Sequence, residues 1–250
     1  MKTKTVPVKP LVLIPAFNEA AQIEHVIRRV HAVDAGLDVV VIDDGSTDAT
    51  AAAARSAGAQ VVRLPFNMGY GVALQTGYKY ALREGYDCVV QLDADGQHEP
   101  ADILALLAVI ERGEADVALG SRFIRKGGYR PGIARRIGMR LFRFLAFALT
   151  GVRFSDVTSG FQALNADLLR FFATERYPAD YPDADVLIML KRSGFTVKEV
   201  SVRMYEKNRA PSMHSGLRPI YYVFKMLLSI ALTPLRHEVA EHRFKTRVGR

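Results

Sequence analysis

Apolar and polar positions alternate in blocks along the first half of the chain. Residues 11–14 form a short apolar run that stops at Pro15. A helix should follow, with Asn18 as its cap and Ile23, Val26, Ile27 and Val30 at the i, i+3, i+4, i+7 spacing of one buried face. Residues 39–42 are a second apolar run. It opens into Asp43-Asp44-Gly45-Ser46-Thr47-Asp48 and an alanine-rich helix stopped at Gly58. Residues 60–64 predict a third strand. Leu74, Tyr78, Ala81 and Leu82 then line one face of a helix over 71–83, which Gly85 ends. Residues 88–92 predict a fourth strand, Pro100 opens a helix carrying Ile103, Leu106, Leu107 and Ile110, and 117–119 predict a fifth strand. Short strands alternating with helices across short loops predict an α/β fold, a mostly parallel central sheet with helices on both faces.

The second half is less regular. It predicts a Gly-, Arg- and Lys-rich loop over 121–132, a helix over 133–149, and a further helix beginning near Asn165 or Ala184. An edge strand is expected over 196–202, a loop over 206–219, an apolar helix over 220–235 and a polar tail. The expected organisation is one domain over 1–205 and a C-terminal extension over 206–250. No run reaches the roughly 18–20 uninterrupted apolar residues that a spanning helix needs; residues 220–235 are too short and contain Lys225. The first residues show no apolar core of a secretory leader. The single cysteine, Cys88, lies in an apolar strand and points to a reducing compartment. A cytoplasmic location is expected.

Charge divides the chain in two. Residues 1–120 hold 10 Lys and Arg against 16 Asp and Glu, a balance of −6, and residues 121–250 carry +14 of the overall +8. An acidic half suits a metal ion, and a basic half suits phosphates or an anionic membrane surface. Arg122, Arg125, Lys126, Arg130, Arg135, Arg136, Arg140 and Arg143 fall within 121–143, where no acid occurs. Phe and Leu residues follow at once over 141–149, a composition suited either to an interfacial helix or to a core helix. Nucleic acid is disfavoured as a partner: no recognised binding motif is present, and the acidic half would repel it.

The sharpest chemical signal is Asp93-Ala94-Asp95, with Gln97 two residues on, directly after a predicted strand. Ligands of parallel sheets gather at the carboxyl ends of strands. Alternation points Asp93 and Asp95 to one side, where two carboxylates and an amide offer hard oxygen ligands to Mg²⁺ or Mn²⁺. A plain solvated acidic turn is the competing reading. Asp43 and Asp44 end another strand; turn chemistry accounts for Gly45 and Ser46, whereas paired acids also suit the hydrogen-bond donors of a nucleoside. His98 suits either the surroundings of the metal site or ordinary loop chemistry.

Five segments together resemble the family-2 glycosyltransferases of GT-A fold. They are Pro15-Ala16-Phe17-Asn18-Glu19, Asp43 to Asp48 as written above, Asn67-Met68-Gly69-Tyr70-Gly71, Gln91-Leu92-Asp93-Ala94-Asp95-Gly96-Gln97-His98, and Gly120-Ser121-Arg122-Phe123. Arg135-Arg136 and Asp156-Val157-Thr158-Ser159-Gly160-Phe161 extend the likeness to the dolichyl-phosphate mannose synthase, or polyprenyl-phosphate glycosyltransferase, branch. Gln162 stands where that branch carries arginine, and Ser212-Met213-His214 departs from its usual Ser-Lys.

The resemblance implies a GT-A domain with C-terminal interfacial helices and an inverting transfer from a nucleotide-diphosphate sugar. It implies a nucleotide site of Pro15, Ala16, Asn18, Glu19, Asp43, Asp44, Asn67 and Asp93. The implied metal ligands are Asp93, Asp95 and Gln97. Arg122, Arg135, Arg136, Ser159, Arg209 and His214 would meet the diphosphate or the acceptor, with Asp95, Arg122 and Asp156 at the chemical centre. The expected acceptor is a polyprenyl phosphate at the inner membrane face, reached by a peripheral protein.

A saccharide hydroxyl is the alternative acceptor and would need a base, for which Asp156, Asp183 and Asp185 are candidates. Asp183 and Asp185 also suit helix capping. A sugar-phosphate nucleotidylyltransferase would carry a glycine-rich segment near its first strand, and a dinucleotide oxidoreductase a Gly-x-Gly-x-x-Gly. Neither is present. A non-catalytic nucleotide-sugar or membrane-binding protein is the remaining rival.

Overall fold

The computed structural model describes residues 8–124, 133–174, 177 and 184–205. Seven strands form one sheet: β1 (Pro10–Ala16), β2 (Asp38–Asp43), β3 (Gln60–Arg63), β4 (Cys88–Gln91), β5 (Val117–Ser121), β6 (Gln162–Asn165) and β7 (Val197–Ser201). Their spatial order is β3-β2-β1-β4-β6-β5-β7. All neighbours run parallel except β6, which is antiparallel to both β4 and β5. The expected mixed α/β architecture with a mostly parallel sheet is the one observed.

The continuous apolar strands follow from cover on both faces. Alternation sends Leu11, Leu13, Val40, Ile42 and Val89 into one core with α3 (Tyr70–Arg83), α5 (Ile133–Thr150), α6 (Ala166–Phe172) and α7 (Ala184–Arg192). Val12, Ile14, Val39, Val41, Cys88 and Val90 enter the opposite core with α1 (Ile23–Val33), α2 (Thr50–Ser56) and α4 (Ile103–Glu111). The predicted faces of α1, α3 and α4 are the buried ones.

Three local expectations change. β1 does not stop at Pro15; it runs to Ala16, with Pro15 opposite Ile42. Its ladder with β4 ends at the Leu13–Gln91 pair, so the missing proline N–H removes no bond on that side. Asn18 does not cap α1. Its backbone is left-handed at φ 55°, and its side-chain oxygen accepts from the Thr47 amide at 2.9 Å instead. β6, only four residues long, has no counterpart in the sequence reading. Asn165 caps α6 by accepting from Leu168 N, as one of the two expected helix starts. The expected loop, apolar helix and tail over 206–250 lie outside the described residues.

Candidate active site

The chain winds from β1 to β2 and β3 on one side, then crosses through α3 to β4 on the other side of β1. The loops after β1 and β4 leave adjacent parallel strands at the same edge and lead into α1 and α4 on one face, with Arg29 of α1 paired to Glu99 at 2.8 Å; ligands of parallel sheets gather at this carboxyl edge. β4 and β5 share their direction, and β6 begins at that same edge. Segments 17–20, 44–49, 64–69, 92–99, 122–124 and 155–161 thus meet at one rim.

On the β2 side, the first two loops are stitched together. Asp44 N donates to Ala16 O, Asn18 N to Ser46 Oγ, and Glu19 N to Thr50 Oγ1. Ala20 N donates to a carboxylate oxygen of Asp48 at 3.1 Å. Gly45, at φ 69°, lets the 64–69 loop close over this turn; a Cβ there would meet the Phe66 carbonyl carbon at 2.4 Å. The two adjacent acids divide their work. Asp43 is fully buried, accepting from Ser46 N and lying 3.2 Å from Arg63 Nε, so it holds the turn and presents no surface to a ligand. The expected direct contact of Asp43 with a nucleotide does not fit this burial. Asp44 is buried as well, and accepts from Met68 N at 2.7 Å and Gly69 N at 3.0 Å, fixing the far loop. Pro15 and Ala16 form the buried floor, while Asn18 and Asn67 are exposed at the rim and Glu19 is half-buried. Phe17, Phe66 and Met68 are also exposed there.

On the β4 side, Asp93 is tightly oriented. Its Oδ1 accepts from the Tyr70 hydroxyl at 2.8 Å. Behind it, Gln91 Nε2 donates to that hydroxyl, and Tyr78 Oη and Gln162 Nε2 donate to Gln91 Oε1. Burial and the Asp93 charge push the Tyr70 hydroxyl well above the ordinary phenol range, so it remains a donor. From the other side, His98 Nδ1 accepts from Asp93 N at 3.2 Å, and its Nε2 lies 3.6 Å from Asp93 Oδ2. The ring is buried and stacked on Phe161. Burial holds the imidazole below its ordinary range, against the pull of the neighbouring Asp93 and Asp95 charges. Asp93 nevertheless keeps about a third of its side chain exposed (32%). Asp95 Oδ1 accepts from Gln97 N at 3.1 Å, and both residues are half-buried. Asp93, Asp95 and Gln97 give an all-oxygen donor set on one short loop, which fits a hard divalent cation. Gly160 lies against Asp93 with no side chain between.

Beside it lies a buried ion pair. Arg122 Nε and Nη2 donate to Asp156 Oδ2 and Oδ1 at 2.5 and 2.6 Å, and Arg122 Nη2 also donates to Thr158 Oγ1 at 2.8 Å. The bidentate geometry is the strong form of such pairs, and both groups are almost fully buried. Ser159 Oγ accepts from Phe161 N at 3.3 Å.

The structure thus gathers Pro15, Ala16, Asn18, Glu19, Asp44, Asn67, Asp93, Asp95, Gln97, Arg122, Asp156 and Ser159 at one edge. Arg135 and Arg136 lie in the first turn of α5, with side chains outside the described set, as is the side chain of Asp185 in α7; Asp183, Arg209 and His214 lie wholly outside it. Sequence reasoning missed Tyr70 and Gly160. Both sit inside motifs already singled out, Asn67 to Gly71 and Asp156 to Phe161, and only the fold shows that they converge on Asp93.

The model of the family described as glycosyl transferase family 2 matches residues 11–172. The polyprenol monophosphomannose synthase of Mycolicibacterium smegmatis is 30% identical over 232 residues, 87% of this chain and 85% of that protein. The undecaprenyl-phosphate mannosyltransferase of Micrococcus luteus is 29% identical over 216 residues, 82% of this chain and 87% of that protein. Among solved structures, glucosyl-3-phosphoglycerate synthase from Mycobacterium tuberculosis, in complex with Mn²⁺, UDP and glucosyl-3-phosphoglycerate, superposes with a TM-score of 0.68. It is 23% identical, with 90% of this chain and 79% of that one covered, so it shows the same GT-A fold.

Proposed function

This chain belongs to glycosyl transferase family 2, and from that premise we propose that it moves a sugar from a nucleotide-diphosphate sugar to a polyprenyl phosphate. The acceptor phosphate oxygen attacks the anomeric carbon, the bond from that carbon to the diphosphate breaks, and the nucleoside diphosphate leaves with the electron pair, inverting the configuration. The M. smegmatis and M. luteus relatives, whose names carry this acceptor class, support the reading.

The observation that carries the acceptor is the state of Asp156. A saccharide hydroxyl needs a base, and Asp156 is the candidate base whose side chain is described. Both its oxygens are occupied by Arg122. Protonating it means breaking a buried bidentate pair, a costly step. A phosphate acceptor is already anionic near neutral pH and needs no such base.

In this reading Asn18, Glu19 and Asn67 receive the nucleotide on the floor of Pro15 and Ala16, and the buried Asp44 holds the 64–69 loop against it. Asp93, Asp95 and Gln97 would hold Mg²⁺ or Mn²⁺, which offsets the charge that develops on the leaving diphosphate. Tyr70 and His98 orient Asp93. Arg122, neutralised and oriented by Asp156, borders the diphosphate as a positioned hydrogen-bond donor, and Ser159, Arg135, Arg136, Arg209 and His214 receive the acceptor phosphate.

No helix among the described residues is long and apolar enough to cross a membrane. Peripheral attachment at the inner membrane face is supported by α5, which exposes Leu141, Phe144 and Phe147 and contains no acid. The experiment is a screen of nucleoside diphosphate release from GDP-, UDP- and dTDP-sugars, with and without polyprenyl phosphate. Release that depends on the lipid phosphate is expected. Release stimulated by a soluble saccharide and not by the lipid would overturn the acceptor while leaving the donor half intact.

A further inference from the structure

Glu199 sits on β7, the edge strand, opposite Leu119 of β5. A charged edge-strand side chain ordinarily turns to solvent or to a surface partner, as the neighbouring Lys198 does with Glu114 at 2.6 Å. Glu199 is half-buried, and its carboxylate is spent on one loop. It accepts from Ser155 N at 2.9 and 3.0 Å, from Ser155 Oγ at 2.7 Å and from Asp156 N at 3.0 Å. Ser155 Oγ in turn lies 2.6 Å from Ser121 Oγ, at the end of β5. No cation neutralises Glu199 among the described residues; its partners are two amides and a hydroxyl. Those amides belong to the residue that pairs with Arg122 and to its neighbour.

We infer that Glu199 is a positioning residue for the Arg122–Asp156 pair, and through it for the diphosphate end of the site. With its amide held by Glu199, Asp156 turns its carboxylate to Arg122 and accepts from both Nε and Nη2. The same segment runs on to Gly160, which lies against Asp93, and to Phe161, on which His98 stacks. One carboxylate on the edge strand thereby sets the register of the loop that faces the metal-binding carboxylates. The role in turnover rests on the proposed transferase reading; the structural coupling of Glu199 to Arg122 does not.

The test separates the two. Arginine-¹⁵N-labelled full-length protein should show a downfield, slowly exchanging Arg122 Nε–H signal, assigned by its loss in Arg122→Lys. Glu199→Gln keeps the shape but turns an amide toward the loop donors. It should shift that signal upfield and speed its exchange, and Glu199→Asp, which keeps the charge, should restore part of the shift. In nucleoside diphosphate release with undecaprenyl phosphate, Glu199→Gln should lower kcat by about tenfold, the scale of a small misplacement at a reacting centre. KM for the nucleotide sugar should change less than about twofold. Its effect should be largely lost in an Asp156→Asn background, because both variants act on one pair. Should Glu199→Gln fail to fold, Ser155→Ala removes one bond to Glu199, with the Ser121 contact, leaves both amide bonds in place, and should give the same shift, smaller. An unchanged Arg122 signal in a folded variant overturns the coupling. A lowered melting temperature with unchanged kcat overturns the positioning role and leaves a structural one. Absence of turnover in the unsubstituted protein with every donor overturns the transferase reading alone, and the spectroscopic result then stands by itself.

Discussion

Gly160 faces the carboxylate of Asp93 so closely that a Cβ at that position would lie 3.1 Å from Oδ2, 3.2 Å from Oδ1 and 3.1 Å from the Tyr70 hydroxyl that holds it. Asp93 has little room to retreat, because His98 holds its amide and Tyr70 its Oδ1. Gly160→Ala should therefore fold with a nearly unchanged melting temperature while turnover falls by about tenfold or more, the effect of sub-ångström displacement at a reacting site. Thermal unfolding measured beside kcat/KM decides it. Activity within twofold of the unsubstituted protein would remove Gly160 from the site.

Asp44→Ala should weaken nucleotide binding more than it slows chemistry at saturation. Removing the carboxylate leaves the Met68 and Gly69 amides without their acceptor, a loss of about 1–3 kcal/mol. The 64–69 loop then loses its tie to the β2 side of the crevice. Calorimetry with the nucleoside diphosphate should show the weaker affinity, and hydrogen exchange should quicken at Met68 and Gly69. Intact affinity in a folded variant would place the nucleotide elsewhere.

The parallel half of the sheet was legible because its strands are buried on both faces, so residues 11–14, 39–42 and 88–92 read as unbroken apolar runs. β6 was not legible. Its ends, Gln162 and Asn165, are polar and half-buried, and it is a strand because Gln91 and Leu119 pair with it from either side. The candidate site was legible as motifs but not as roles. Asp43 and Asp44 are adjacent in sequence and both buried, and only the packing of Arg63 and of the 64–69 loop separates the acid that holds the turn from the one that holds the far loop. Arg122 and Asp156 were each read as facing ligand. Their pairing spans 34 residues and leaves no local trace.

Metal dependence is the expectation if Asp93, Asp95 and Gln97 act as the oxygen donors proposed above. Excess chelator should abolish turnover, and Mg²⁺ or Mn²⁺ should restore it. Asp95→Asn should lose at least the roughly 10- to 100-fold in metal affinity that even an outer partner contributes. Titration of Mn²⁺ followed by its water-proton relaxation reads this without any substrate. Full activity in chelator would sink the assignment.

Cys88 provides a pH-dependent probe of the core. Burial pushes its thiol up to about 12 from an ordinary 9.0, with Glu111 adding to the shift. At pH 8 only about one thiol in ten thousand is ionised, so a disulfide reagent should not react with the native protein until it unfolds. The folded pKa is the raised one. The thiol's contribution to stability is therefore full below pH 9 and declines as pH rises from 9 through 12. Cys88→Ser should flatten that part of the stability curve. Rapid labelling of native protein at pH 8 would contradict the buried state.

Attachment to an anionic membrane surface should depend on the exposed face of α5. Phe144 leaves 65% of its surface exposed, and Leu141 and Phe147 flank it one turn away on either side. Arg140 is exposed on the same helix, and Arg153 lies over the Phe147 ring. The helix has no acid to oppose an anionic surface. Each basic residue near such a surface contributes about 1 kcal/mol, and burial of a phenylalanine about 1.5–3 kcal/mol, so two or three such contacts suffice for reversible binding. The two contributions separate by salt, because at about 1 M the Debye length shrinks to roughly 3 Å while apolar burial persists. Flotation with anionic liposomes should therefore fall steeply between low and high salt. Phe144→Glu should weaken it further by adding a negative charge where an apolar ring would insert. Because Phe144 points away from the core, its replacement should leave the melting temperature and nucleotide affinity unchanged. Unaltered flotation of Phe144→Glu at low salt would move the membrane contact off α5, and absence of flotation in every condition would remove it from the protein altogether.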